Sequence, residues 1–211
     1  MATGLATLIP GILDTKLTNS ISPRILPKVR VEFTFIRRAY LSPLPVTTEN
    51  VALNSDALIA SGDEATSLFN QMIDVSILCI SAEAVGAMTS AYQKTVQYTK
   101  EREQFSQPIS NFQVLQHRMV DMFVETEITK SLLIKATLQL DSKDAETSKT
   151  ISALKVQVGK AGKYIGQQAV QLHGGMGVSN EMSIGHYLKR FTVIDSMFGN
   201  TQHHINKYSS L

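Results

Sequence analysis

From about Ser67 to the C-terminus, apolar residues recur every three or four positions, the spacing of one face of an α-helix. Leu68, Met72, Val75, Cys79, Ala82, Gly86, Thr89, Tyr92 and Val96 trace one such seam and predict a long helix, entered through the turn Ser61-Gly62-Asp63-Glu64 and stopped by Pro108. Phe112, Leu115, Met119, Met122, Thr126, Thr129, Leu133, Ala136 and Leu140 step the same way and predict a second helix, broken by Asp141-Ser142-Lys143-Asp144. A third is expected over roughly 145–172, with Ile151, Leu154, Val158, Ala161, Ile165 and Leu172 on one face. Gly159, Gly162 and Gly166 lie along it, and each costs about 1 kcal/mol relative to alanine in a helix, so a neighbouring helix is expected to pack closely there. Shorter helices are expected near 184–196 and 202–209.

Before the helices the texture changes. Val31-Glu32-Phe33-Thr34-Phe35 alternates, Pro43 and Pro45 interrupt, and Asn50-Val51-Ala52-Leu53 and Asp56-Ala57-Leu58-Ile59 read as short extended pieces. These are too few strands for a closed sheet. The expected organisation is an irregular segment over 1–30, a β remnant over 31–64, and a helical domain over 65–211. The fold class is mainly α, a long-helix up-down bundle preceded by a short β remnant. At 1.5 Å per residue the two longest helices would reach roughly 45 to 50 Å, a length that suits an oligomer.

Composition narrows the function classes. The 211 residues are 43% apolar, enough for a substantial core. Twenty basic and eighteen acidic residues leave a formal charge of +2 without blocks of like charge, which argues against nucleic acid as a partner. No uninterrupted apolar run has the length of a membrane span. The single cysteine, Cys79, lies in the apolar run Ile77-Leu78-Cys79-Ile80 and is expected to be buried and inert. Lys16, Arg24, Lys28 and Arg30 face only Asp14, but no arginine-rich amphipathic helix makes this a targeting segment, so a poorly ordered start is expected.

Three constellations could carry chemistry. Arg102-Glu103-Gln104-Phe105, with Gln113 beyond Pro108, places a guanidinium and two amides at a helix-to-helix corner, a set that can grip a pyrophosphate and an adenine edge. A solvated polar corner has the same composition. Gln171-Leu172-His173-Gly174-Gly175-Met176-Gly177 is either a helix C-cap or a backbone concavity for an anion or ring. The third is Asp195-Ser196-Met197-Phe198-Gly199-Asn200-Thr201, followed by His203 and His204. Adjacent helical residues point about 100° apart and no third ligand is evident, so no metal site is expected.

Taken in this order, the three constellations resemble the C-terminal helical domain of the FAD-dependent acyl-CoA dehydrogenase family. The family pattern of arginine-glutamine-phenylalanine-glycine, phenylalanine-glutamine, and glutamine-x-x-glycine-glycine-x-glycine is met by Arg102 to Ser106, Phe112-Gln113, and Gln171 to Gly177, with Ser106 replacing the usual glycine. The resemblance runs from about Asn50 to Leu211. Stretches such as Glu83 to Met88 and Leu115 to Met122 are most similar to small subunits of bacterial two-subunit enzymes of the pimeloyl-CoA dehydrogenase type.

The resemblance implies α,β-dehydrogenation of an acyl-CoA: a carboxylate takes the α proton, the β hydrogen leaves as hydride to FAD, and an electron carrier such as electron-transfer flavoprotein reoxidises the flavin. It implies an FAD shared across a subunit interface, with Arg102, Gln104, Phe105, Gln113, Gln171, Gly174, Gly175 and Thr201 as its contacts here. It implies a tetramer-like homo- or hetero-oligomer with another acyl-CoA dehydrogenase subunit, in the bacterial cytoplasm, or in the mitochondrial matrix of a eukaryote. The usual tyrosine-glutamate-glycine-threonine is Phe198-Gly199-Asn200-Thr201 here, so Gly199 occupies the base position, and the alternative base position on the first long helix is Ser76. Asp74 and Asp195 are the nearest carboxylates and are expected to be structural. The chain alone is therefore expected to be inactive, as a short subunit, a truncated form or a fragment. The alternative is a helical scaffold that has lost cofactor use.

Overall fold

The computed structural model describes residues 58–211 together with two short strands, β1 (Glu32–Phe33) and β2 (Val46–Thr47). The strands pair antiparallel, Glu32 opposite Thr47 and Phe33 opposite Val46. The segment 1–30 and the expected strand at 50–53 lie outside the described residues. Leu58 and Ile59, expected to close a strand, take no regular structure and are exposed. The chain divides into two compact units, Met1–Thr66 and Ser67–Leu211, and the second is the helical unit.

Helix α1 runs from Gly62 to Glu101. It begins before Ser67, where the turn was expected, because Asp63 and Glu64 sit in its first turn and their carboxylates are favoured by the positive end of the helix dipole. It also ends before Pro108, which belongs to a tight hairpin, β3 (Glu103–Gln104) and β4 (Gln107–Pro108). A 3-10 turn at Ile109–Asn111 leads into α2 (Gln113–Ser142). Lys143 then takes the left-handed conformation with φ of 56°, and its N–H closes on the carbonyls of Gln139 and Leu140. The short link 143–146 makes α2 and α3 (Thr147–His173) antiparallel neighbours. A 3-10 segment at Gly174–Val178 precedes α4 (Ser183–Ser196) and α5 (Thr201–Ser210).

Helix α3 is the centre of the unit and packs against α2, α4 and α5. Its predicted face, Ile151 to Leu172, is buried throughout. Met119, Met122, Thr126, Thr129 and Ala136 of the predicted α2 seam are buried as well. The glycines of α3 do what their cost implied. A Cβ on Gly162 would press on the Phe191 ring at 3.2 Å, one on Gly166 would reach Leu188 Cδ1 at 2.8 Å, and one on Gly159 would clash with Asp195 and Thr201. All of these belong to α4 or the start of α5.

The seam predicted on α1 holds only in its last part, where Tyr92 and Val96 are half-buried against the core. Leu68, Met72, Val75, Cys79, Ala82 and Gly86 face outward, while Ile77, Ser81, Ala84, Met88, Ala91, Thr95 and Thr99 enter the core. Cys79 is thus exposed, not buried. Two stripes of α1 are apolar, so periodicity alone does not say which one the bundle covers. One stretch of α1 is apolar and long enough to pass a composition test for a membrane span. Its buried stripe is used in the core, and Glu83 within it binds Arg190 of α4 bidentately at 2.5 and 2.7 Å.

Candidate functional site

The first constellation is the corner that follows α1. The N–H of Arg102 closes the helix on the Tyr98 carbonyl at 2.9 Å, and the carbonyl of Arg102 accepts from Ile109 N at 2.8 Å, tying the base of the hairpin. Its two-residue loop is Phe105-Ser106, with φ of 55° and 64°. Positive φ at both loop residues is the type I′ geometry that matches the twist of two paired strands and is normally filled by asparagine and glycine. Phenylalanine and serine there carry about 1–2 kcal/mol of strain each. The hairpin holds the Phe105 ring 86% exposed. The Phe112 ring meets it in an edge-to-face arrangement, at 6.0 Å between centroids. Arg102, Gln104 and Gln113 are exposed around it. Among the described residues the Arg102 guanidinium has no carboxylate partner, and Gln104 turns its amide to the neighbouring Glu103 carbonyl at 2.8 Å.

The second constellation lies beside the first. The Tyr98 ring, one turn before Arg102, stacks on His173 with centroids 4.2 Å apart and planes 22° apart, and its hydroxyl donates to the His173 carbonyl at 3.4 Å. This contact joins the end of α1 to the end of α3, so the Arg102 corner and the glycine turn share one end of the unit. Gln171 is exposed there, and so are Gly174 and Gly175, which have open space where side chains would stand. Gly174 has φ of 60°, which glycine adopts freely. Gly177 has another reason: a Cβ would lie 2.6 Å from the Val170 carbonyl. His173 is buried, and desolvation pushes its pKa below the usual histidine value against the opposing effect of its bond to Ala169. Its Nδ1 pairs with the Ala169 carbonyl at 2.8 Å, leaving Nε2 buried without a partner.

The third constellation is elsewhere. Lys155, fully buried on α3, gathers the end of α4, donating from Nζ to the carbonyls of Ile194 at 3.0 Å, Asp195 at 2.9 Å and Gly199 at 2.9 Å. Burial lowers its pKa to about 8, with the Asp195 carboxylate opposing the shift. Asp195 Oδ1 accepts from Thr201 N at 3.1 Å and from Thr201 Oγ1 at 2.7 Å. Asn200 caps α5 by accepting from His203 N at 2.9 Å. His204 is buried with Nε2 at 3.0 Å from the Phe198 carbonyl. Gly199 has φ of 96°, and a side chain added there would meet the His203 ring at 2.5 Å. The corner is closed by its own neighbours.

Asp195 is therefore engaged in helix capping, and Asp74 is buried near Lys207 at 3.7 Å. Ser76 gives its hydroxyl to the Met72 carbonyl at 2.7 Å. Thr201 is half-buried, its hydroxyl spent on Asp195. Thr201 packs against Gly159, about 18 Å from Gln171 along α3 at 1.5 Å per residue, so it stands apart from Gln171 in one chain. Sequence reasoning missed Tyr98 and Lys155, and named His173 only as part of the glycine run. Lys155 did leave a signal: it stands on the same helical row as Gly159, Gly162 and Gly166, a charge where only close packing was expected.

Residues 66–209 match the family profile described as acyl-CoA dehydrogenase, C-terminal domain. The chain belongs to the acyl-CoA dehydrogenase family. Over 144 residues it is 29% identical to a probable acyl-CoA dehydrogenase, YngJ, of Bacillus subtilis, covering 68% of this chain and 38% of that one. It is 27% identical over 139 residues to the caffeyl-CoA reductase-Etf complex subunit CarC of Acetobacterium woodii, covering 66% and 36%. Among solved acyl-CoA dehydrogenase-like structures, butyryl-CoA dehydrogenase of Megasphaera elsdenii superposes with a TM-score of 0.74 at 19% identity, covering 78% of this chain and 43% of that one. PigA, solved with FAD and proline, superposes with a TM-score of 0.73 at 22% identity, covering 78% and 43%. The chain thus spans about two fifths of the length of these relatives.

Proposed function

We propose that this chain is an FAD-contacting part of an acyl-CoA dehydrogenase-like assembly and grips the adenosine and pyrophosphate side of a flavin held mainly by a neighbouring subunit. The observation that carries this reading is the Arg102–Phe105 corner. It combines an exposed guanidinium without a carboxylate partner among the described residues, an aromatic ring held out on a strained turn, and adjacent open backbone at Gly174 and Gly175. Strain persists where surrounding structure enforces it, and such sites cluster where ligands are held. Arg102 would bind phosphate oxygens as a two-pronged donor, Phe105 would cover a ring face, and Gln104, Gln113 and Gln171 would supply amide donors and acceptors. Thr201, about 18 Å from Gln171 along α3, would touch a flavin near the last helix, in keeping with a cofactor shared across an interface.

Bound flavin would supply the hydride acceptor for α,β-dehydrogenation of an acyl-CoA. At the positions the family resemblance marks for a base, among the described residues, none is placed: Gly199 has no side chain, Ser76 is bonded to its helix, and Asp74 and Asp195 are engaged in packing and capping. The chain is read as inactive alone, with proton abstraction left to a partner. The similarity to an Etf-complex subunit supports an electron-transfer flavoprotein as the assembly's oxidant.

Copurification with a full-length acyl-CoA dehydrogenase subunit is expected to give a yellow complex with the absorbance of oxidised flavin. Arg102→Ala should lower the flavin retained after gel filtration roughly tenfold, the scale of one lost charge-assisted contact of 1–2 kcal/mol. Unchanged retention overturns the role of Arg102. A stable but colourless complex favours the scaffold reading.

A further inference from the structure

The ends of α1 and α3 meet where Tyr98 stacks on His173, and this contact sets the Arg102 hairpin beside the glycine turn. Arg102 closes its N–H on the Tyr98 carbonyl, so a shift of Tyr98 is passed to the base of the hairpin. Gly174 follows His173 directly and closes its own N–H on the Gln171 carbonyl. Hydrogen bonding fixes the state of the imidazole. Its Nδ1 faces the Ala169 carbonyl at 2.8 Å, and a carbonyl only accepts, so Nδ1 carries the hydrogen and Nε2 of the neutral ring carries the lone pair. Nε2 is buried without a partner. In the charged ring the same atom would bear a second N–H with no acceptor among the described residues. The Tyr98 face attracts a cation, but a buried charged donor left without an acceptor is the larger effect.

The surrounding charges do not favour an imidazolium. Lys94 and Arg102 stand one turn before and after Tyr98, and Lys94 is turned to Ser183 Oγ at 3.0 Å. On α2, Arg118 donates to Gln168 at 3.3 Å, one turn before Gln171. On α4, Lys189 is a further cation, and His186 Nε2 lies 3.4 Å from the Asn180 carbonyl. The acids at the end of α1, Glu101 and Glu103, are exposed, and Glu101 is bonded by Gln97. Between Tyr164 and His173, and from Gly174 to Val178, no residue titrates. We infer that the Tyr98–His173 stack is a latch that seats the Arg102 hairpin beside the Gly174–Gly175 turn, closed while the imidazole is neutral and released when it is protonated. Its bearing on ligand retention rests on the cofactor reading above, whereas the latch itself is a property of the bare chain.

Amide exchange of the full chain without cofactor tests it, read at the N–H groups of Arg102, Ile109 and Gly174. The open ring binds a proton more readily than the closed one, so the latch is fully held above the ordinary histidine value of 6.5 and is lost as the pH falls below it. Between about pH 8 and about pH 5 the corner should open more often by up to about thirtyfold, the ratio that roughly 1.5 pH units allow. His173→Phe keeps a flat ring on Tyr98 that cannot charge, so its corner should open equally often at both pH values. Tyr98→Phe should behave as wild type, and Tyr98→Leu should open the corner at either pH. Wild type also supplies a test that needs no variant: the His173 ring resonance should titrate in step with the opening of the corner. Pronounced pH dependence surviving in His173→Phe, where buried His204 still titrates, overturns the proposal, and so does a wild-type corner that stays closed while His173 titrates. In the complex with a full-length subunit, acid should release flavin more readily from wild type than from His173→Phe. A corner that opens in acid while flavin stays bound upholds the latch and removes the corner's part in the cofactor reading.

Discussion

Ser106 and Lys155 are held by opposite kinds of constraint, one by backbone strain and the other by burial. Ser106 occupies the second left-handed position of the hairpin loop, with φ of 64°. Glycine reaches that region without the Cβ penalty, so Ser106→Gly should raise stability by about 1 kcal/mol, read as a higher midpoint in urea. An unchanged or lower midpoint would mean the turn is not strained. Lys155 is fully buried and its ammonium serves three carbonyls. Replacing it with methionine takes the donor from the Asp195 and Gly199 carbonyls, while Ile194 keeps its bond from Met197 N, and should cost about 2–6 kcal/mol at neutral pH, at 1–3 kcal/mol for a buried group left unsatisfied.

The pH dependence of Lys155 has a definite sign. Its folded pKa of about 8 lies below the ordinary value of 10.5, so between those two values the unfolded chain binds the extra proton. The cost of burying the charge is fully present below about 8 and is relieved as the pH rises towards 10.5. The stability of wild type relative to Lys155→Met should therefore increase across that window, by up to the order of 3 kcal/mol. Denaturant titrations of both proteins at several pH values check this, and a flat difference would place the lysine pKa at its ordinary value.

Among the elements, α3 carries most of the specification. Two glycines, one on α3 and one on α1, make a controlled comparison. Gly159→Ala would drive a methyl group into Asp195 and Thr201, whereas at Gly86 no atom of the described residues beyond the helix's own neighbouring backbone lies within 4 Å of the added carbon. The first should destabilise by about 2 kcal/mol or more through overpacking, and the second should stabilise by up to about 1 kcal/mol through helix propensity. Thermal unfolding of the two variants should therefore move in opposite directions.

The same elements show where the sequence speaks clearly. The faces of α2 and α3 were legible because the apolar stripe that each sequence marks is the one the bundle buries. On α1 a second stripe, Leu68 to Gly86, is apolar too, so the pattern did not choose between them. The β3–β4 hairpin has two-residue strands and a Phe-Ser loop, too short for periodicity and without the asparagine or glycine that would signal a type I′ turn. Of the candidate site, the residue types were legible from their motifs. That Arg102 and Gly174 share one end of the unit while Thr201 packs at the middle of α3 follows from the Tyr98–His173 and Gly159–Thr201 contacts, which link positions far apart in the chain.

At the scale of the whole molecule, the helical unit matches the C-terminal domain of a family whose relatives here are more than twice its length. Its polar corners are open to solvent, and apolar side chains on both α1 and α2 are exposed on the same unit. A domain with such faces is suited to being covered by other protein, which agrees with the proposed assembly.

Cys79 offers a way to watch that covering happen. It is the only cysteine in the sequence and lies exposed on the outward stripe of α1. A thiol-reactive dye should therefore attach at one known position without any engineering. In the isolated chain the labelling rate should match that of an accessible thiol, and it should fall in any complex that seats a subunit on this stripe. A rate unchanged by complex formation would place the partner on another face. The residue that looked like inert filling is a built-in reporter of assembly.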